Sequence, residues 1–154
     1  VGATALSLIG LANICGSLLF GRLGDRYRKK YLLSALYFGR SLVIGLFLFV
    51  PLTNYTALLF GAFIGFLWLA TVPLTSGTVA QIFGARYLST LYGIVFFSHQ
   101  IGSFIGVWLA GRLYDASGSY DVVWWMAIAL GLMAALVPLP ITDRPLQRQP
   151  FKHA

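Results

Sequence analysis

Long apolar runs alternate with short polar segments along the whole chain. Five runs, at 3–20, 31–50, 55–75, 88–111 and 121–141, each come close to the roughly 20 residues that an α-helix needs to cross a bilayer core. Breakers separate them: Gly21-Arg22 after the first, Pro51 and Asn54 after the second, Pro73 near the end of the third. Thr142-Asp143-Arg144-Pro145 follows the fifth. The pattern predicts an all-α membrane protein. Five transmembrane helices form a bundle over 1–142, and a polar tail over 143–154 is expected to hang loosely from it.

Composition supports lipid as the solvent. Of 154 residues, 58% are hydrophobic and only 10% charged, against about a quarter charged in ordinary soluble domains. A chain this short could not bury so much apolar surface in water. The net charge of +7 would suit nucleic acid, but the bases sit at the ends of the apolar runs, where cytoplasmic loops of membrane proteins collect Lys and Arg. Membrane lipid, not nucleic acid, is therefore the expected partner.

The distribution of those bases also sets orientation. Arg22, Arg26, Arg28, Lys29 and Lys30 follow the first run, Arg86 the third, and Arg144, Arg148 and Lys152 the fifth. Arg112 stands alone on the other side, and Arg40 lies inside the second run. This asymmetry predicts a multi-pass protein of the cell (inner or plasma) membrane with a cytoplasmic C-terminus. Val1-Gly2-Ala3 falls directly into an apolar run, so the chain reads as a fragment. The lone Cys15, and the want of a nucleophile triad, a phosphate-binding glycine loop or a His-Glu-x-x-His pair, predict no enzyme, metal or cofactor.

Two segments carry motifs. Gly21-Arg22-Leu23-Gly24-Asp25-Arg26-Tyr27-Arg28-Lys29-Lys30 joins the first two spans. Its glycines permit a tight turn, and Asp25 can face the positive end of a neighbouring helix. Gly111-Arg112-Leu113-Tyr114-Asp115 repeats its start 90 residues later, at the end of the fourth span. The first segment resembles the signature loop of the major facilitator superfamily, Gly-x-Leu-Ala/Gly-Asp-Arg-x-Gly-Arg/Lys-Arg/Lys. Arg28 departs from it, standing where the pattern has glycine. The resemblance implies a partial major facilitator fold, helices 8 to 12, whose N-terminal half is missing. It casts Gly21, Gly24, Asp25 and Arg26 as a conformational latch. The two copies would then end equivalent helices of inverted repeats. Gly111-Arg112-Leu113, Asp115, Gly118 and Tyr120 are similar to the monocarboxylate and oxalate–formate branch. Members with proton coupling place Asp-x-x-x-Arg in helix 8, and here Asn13 and Ser17 occupy those positions.

Polar groups inside spans are costly and mark either a packing contact or a solute path. His99 and Ser103, four apart, share a helical face beside Gln100, and Asn13 and Ser17 are likewise paired. With the resemblance, all five become candidate solute-binding residues, with His99 able to take a proton near neutral pH. Interhelical hydrogen bonding, worth about 0.6 kcal/mol per pair, is the competing role. Arg40 is a candidate for an ion pair or an anion contact. None of the four acids lies in a span, so its partner is a carbonyl, an acid elsewhere or an anionic solute. Gly61/Gly65 and Gly102/Gly106 form GxxxG pairs, and Ala12/Gly16 a looser one, suited to close helix packing. The resemblance implies secondary active transport, as symporter or antiporter, of a small organic solute. A complete five-span scaffold or signalling protein is the alternative.

Overall fold

The computed structural model describes residues 2–146. These form α1 (Gly2–Arg26), α2 (Lys29–Leu48), α3 (Asn54–Trp68), α4 (Thr71–Phe83), a 3-10 turn (Ala85–Tyr87), α5 (Leu88–Ser117) and α6 (Asp121–Leu136). There is no strand among the described residues. α3 and α4 run on as one apolar stretch, Asn54–Phe83, so four stretches are long and apolar enough to cross a membrane. α6, with 16 residues, is shorter, and turns carry its chain on through Pro138 and Pro140. The predicted tail at 147–154 lies outside the described residues.

Each apolar run became helical, but four ends moved, the fifth helix stopping at Leu136 rather than 141. The first helix continues through Gly21 and Gly24 to Arg26, so most of the expected loop is helical and only Tyr27 and Arg28 turn the chain. Packing explains why Gly24 is tolerated there: it is buried, and a Cβ on it would stand 2.7 Å from Leu74. The third stretch reaches Phe83 rather than 75, and it breaks at Leu69 and Ala70. Pro73 causes the break, since it has no N–H to give and its ring crowds the carbonyl of Leu69. That carbonyl takes the Val72 N–H instead, at 3.0 Å. The fourth helix runs to Ser117. Gly118 closes it with φ 69°, a left-handed conformation open to glycine, and donates its N–H to Tyr114.

Helix contacts are closest where side chains are smallest. α1 crosses α3 at backbone range: a Cβ on Gly16 would overlap the Phe66 carbonyl, and one on Gly65 would sit 2.7 Å from Ile9. The Gly61/Gly65 pair is thus a true packing face. A Cβ on Gly131 of α6 would likewise overlap the Ser41 hydroxyl of α2. Leu33, Leu36, Ala70 and Leu74 form the buried core between α2 and α4. α5 differs from the rest. It leans on α4 and α6 and buries none of its residues. Gly102 and Gly106 meet nothing among the described residues.

Candidate functional site

The break between α3 and α4 leaves backbone groups without helical partners, and polar side chains from two other helices take them up. From α2, Arg40 donates Nε (3.2 Å) and Nη2 (3.0 Å) to the Leu67 carbonyl. Its Nη2 also donates to the Trp68 carbonyl at 2.7 Å and to the Thr71 hydroxyl at 3.4 Å. The guanidinium lies 5.3 Å from the Tyr37 ring centre and 5.5 Å from that of Trp68. From α1, the Asn13 side-chain oxygen accepts the Leu69 N–H at 3.2 Å. One side chain thus serves the freed carbonyls and another the freed amide.

The energies are matched in size. An arginine at mid-bilayer costs roughly 2.5 to 3.5 kcal/mol on insertion scales. A hydrogen bond to a charged group contributes about 1.5–3 kcal/mol, so two carbonyl partners offset the cost. Among the three partners open to Arg40 from the sequence, the structure supplies the carbonyl.

The other predicted solute-binding residues are divided. Ser17 gives its hydroxyl to the Asn13 backbone carbonyl one turn earlier, so it is spent within its own helix. His99, Gln100 and Ser103 are exposed on α5. Ser103 donates to the His99 carbonyl at 3.0 Å, and the His99 ring stacks near Phe96 at 6.1 Å. No described residue hydrogen-bonds the His99 ring or the Gln100 carboxamide. The structure therefore joins Asn13 to the helix break and leaves the α5 trio as a separate polar face.

The latch residues lie in the last two turns of α1. Gly21 stands 4.0 Å, as a Cβ, from Pro73, while Asp25 and Arg26 are exposed. Neither has an ion pair among the described residues. The charged cluster lies instead just beyond them. Arg28 grips Asp143 with two hydrogen bonds, Nε to Oδ2 at 3.0 Å and Nη2 to Oδ1 at 2.6 Å. Lys30 donates to the carbonyls of Leu139 (3.1 Å) and Ile141 (3.0 Å). Gln81 of α4 accepts from Lys29 at 3.1 Å and donates to the Asp143 carbonyl at 2.7 Å. The Leu146 N–H reaches the Ile82 carbonyl at 3.0 Å.

These bonds correct the expectation of a loose tail for the stretch from Asp143 to Leu146, because its two ends are held, Asp143 by Arg28 and Gln81 and the Leu146 N–H by Ile82. The Arg28 hydrogen bond holds the Asp143 carboxyl down to about 2, against the opposing pull of its burial. The carboxylate in turn raises Arg28. Sequence reading missed the cluster, although Arg28, the one departure from the signature pattern, was its visible sign. The second motif copy is helical, with Arg112 5.5 Å from the Trp108 ring centre and Tyr114 stacked on Tyr120 at 4.4 Å.

A helical membrane bundle with a broken, arginine-clamped helix is the class of protein, and similarity to known proteins gives the family. The family model described as Major Facilitator Superfamily matches residues 1–154. The chain belongs to that superfamily. It is 27% identical over 146 residues to the Uncharacterized MFS-type transporter YcxA of Bacillus subtilis (strain 168), covering 90% of this chain and 36% of that protein. It is 32% identical over 121 residues to Monocarboxylate transporter 12 of Homo sapiens, covering 77% and 23%. With Protein spinster homolog 1 of Mus musculus it shares 26% over 137 residues, covering 88% and 26%. The chain thus spans about a quarter to a third of the length of these relatives. No solved structure matches the chain significantly.

Proposed function

We propose that the chain is the C-terminal part, helices 8 to 12, of a secondary transporter that moves a small organic anion by alternating access. α3 and α4 together would be helix 10. The observation that carries this reading is the family match along the whole chain. The likeness to proteins named monocarboxylate transporters makes carboxylates the first solute class to test. Rocking of two helical halves about a central site is the transport principle of such folds. The missing N-terminal half would supply the other half, and the basic end of the bundle, with the C-terminus, would face the cytoplasm of the cell membrane.

Within this reading His99, Gln100 and Ser103 line the solute path, and His99 takes up a proton with the anion. Asn13, with Ser17 behind it, reaches that path from the helix break. Asp25, held out at the end of α1 beside Gly21, Gly24 and Arg26, latches against the absent half. The full-length protein in proteoliposomes should accumulate small carboxylates down an imposed proton gradient. Asp25→Asn should slow that uptake while leaving solute affinity nearly unchanged. Correctly inserted protein that moves no carboxylate would overturn the anion reading, and a large loss of affinity in Asp25→Asn would make Asp25 a solute contact.

A further inference from the structure

A shallow groove of about 460 Å³ runs between α2 and α6 near the basic end of the bundle. Its floor is small: Ser34, Ala35 and Ala135, with the Ser34 hydroxyl bonded to the Ala135 carbonyl at 2.5 Å. Its rims are bulky, Tyr31 and Phe38 on α2 facing Leu136 at the end of α6 and Leu139 in the turn after it. Residues 31 to 38 of a helix rise about 10 Å, enough to seat the upper part of one acyl chain. The lining is almost wholly apolar, yet one end is cationic.

That end is built from the motif loop and the segment after α6. The Arg28 guanidinium and the Lys30 ammonium each lie 5.3 Å from the ring centre of Tyr31, which lines the groove. Leu139 lines it too, and its carbonyl holds Lys30. Asp143 takes two of the five N–H donors of Arg28. The Arg28 side chain is 56% exposed, so it stays accessible to a further acceptor. Asp143 cancels one positive charge, and Lys30, only 9% exposed beside the Tyr31 ring, keeps its own because carbonyls are its acceptors. Exposed Arg144 adds to the same end. Apolar trough and cationic head together have the chemistry of a phospholipid turned inside out.

We propose that this groove is a binding site for an anionic phospholipid, with an acyl chain between α2 and α6 and the headgroup phosphate at Arg28 and Tyr31 over Lys30. The site is independent of the solute path. Charge complementarity selects the anionic headgroup, and salt should weaken it as it weakens other exposed electrostatic contacts. Basic residues at a membrane surface each favour anionic lipid about fivefold.

The test uses the full-length protein, delipidated and then offered equal amounts of phosphatidylglycerol and phosphatidylcholine, with retained lipid counted by native mass spectrometry. Wild type should retain phosphatidylglycerol in preference. Lys30→Gln keeps a donor for the two carbonyls but removes the charge, and should cut that preference about fivefold. Ala35→Phe, at an exposed position on the groove floor, should abolish retention of the bound lipid while the protein keeps its elution volume. Equal retention of the two lipids by wild type would overturn the proposal. So would a preference that survives Ala35→Phe, or a dimer mass that Ala35→Phe dissolves, which would make the groove a contact between copies.

Discussion

At the scale of single residues, the Arg28–Asp143 pair has a pH range of its own. The free-state value of Asp143 is 3.8, and Arg28 holds it near 2 in the folded chain. A carboxyl depressed on folding contributes stability that is fully present above its free value. That contribution fades as pH falls through about 4 toward about 2. The Arg28–Asp143 pair is therefore constant between roughly pH 5 and 8, the window in which an unperturbed histidine changes charge. Under the proposed function, a pH dependence of uptake in that window would need another origin, and His99 in the proposed solute path is the residue to test. His99→Gln should flatten the uptake profile there, whereas Asp143→Asn should leave the profile's shape unchanged. Asp143→Asn should instead free the segment after α6, seen as faster proteolysis near Arg144. Identical profiles for wild type and His99→Gln would return His99 to a packing role.

At the scale of elements, apolar run length gave the helices away, because a span has to be continuous to satisfy its backbone in lipid. The glycine pair of α3 was legible for the same reason, as spacing on one helix. What stayed hidden was pairing between helices. Pro73 announces a disturbance, but only the fold shows that it falls at Leu69 and Ala70 and that Arg40 and Asn13 take up the freed groups. Arg28 and Asp143 are separated by 115 positions, and no local pattern links them.

The Arg40 clamp makes a quantitative expectation. Arg40→Ala removes the side-chain donor of the part-buried Leu67 carbonyl, at up to about 1–3 kcal/mol for a group left unsatisfied, while the Trp68 carbonyl keeps the Thr71 hydroxyl. Arg40→Lys restores charge and donors without the planar fork, so it should recover part of the loss. Thermal unfolding of the full-length protein in detergent should rank wild type above Arg40→Lys above Arg40→Ala. An Arg40→Ala protein as stable as wild type would mean that water or other groups serve the break.

At the scale of the whole molecule, the positions of the bases predict which ends share a side of the membrane. Lys29 opens α2 just after the α1–α2 turn, Arg86 follows α4, and Ser119 lies between α5 and α6. Cysteines placed at Lys29 and Arg86 of the full-length protein, with Cys15 and any other native cysteine replaced by serine, should react with an impermeant reagent only from the cytoplasm. A cysteine at Ser119 should react only from outside. A swap between these groups would reverse the orientation and with it the proposed latch side.

Alternating access itself is tested most directly on the open face of α5. Ser103 is exposed there, one turn beyond His99, on a helix that buries nothing in this chain. With every native cysteine of the full-length protein again replaced, Ser103→Cys should be reached by an impermeant thiol reagent from both sides of the membrane. A transported carboxylate should slow labelling from both sides by occupying the path, and Asp25→Asn should shift the balance between the two sides. Labelling from neither side, with reaction only to a lipid-soluble reagent, would place this face against lipid and contradict the account.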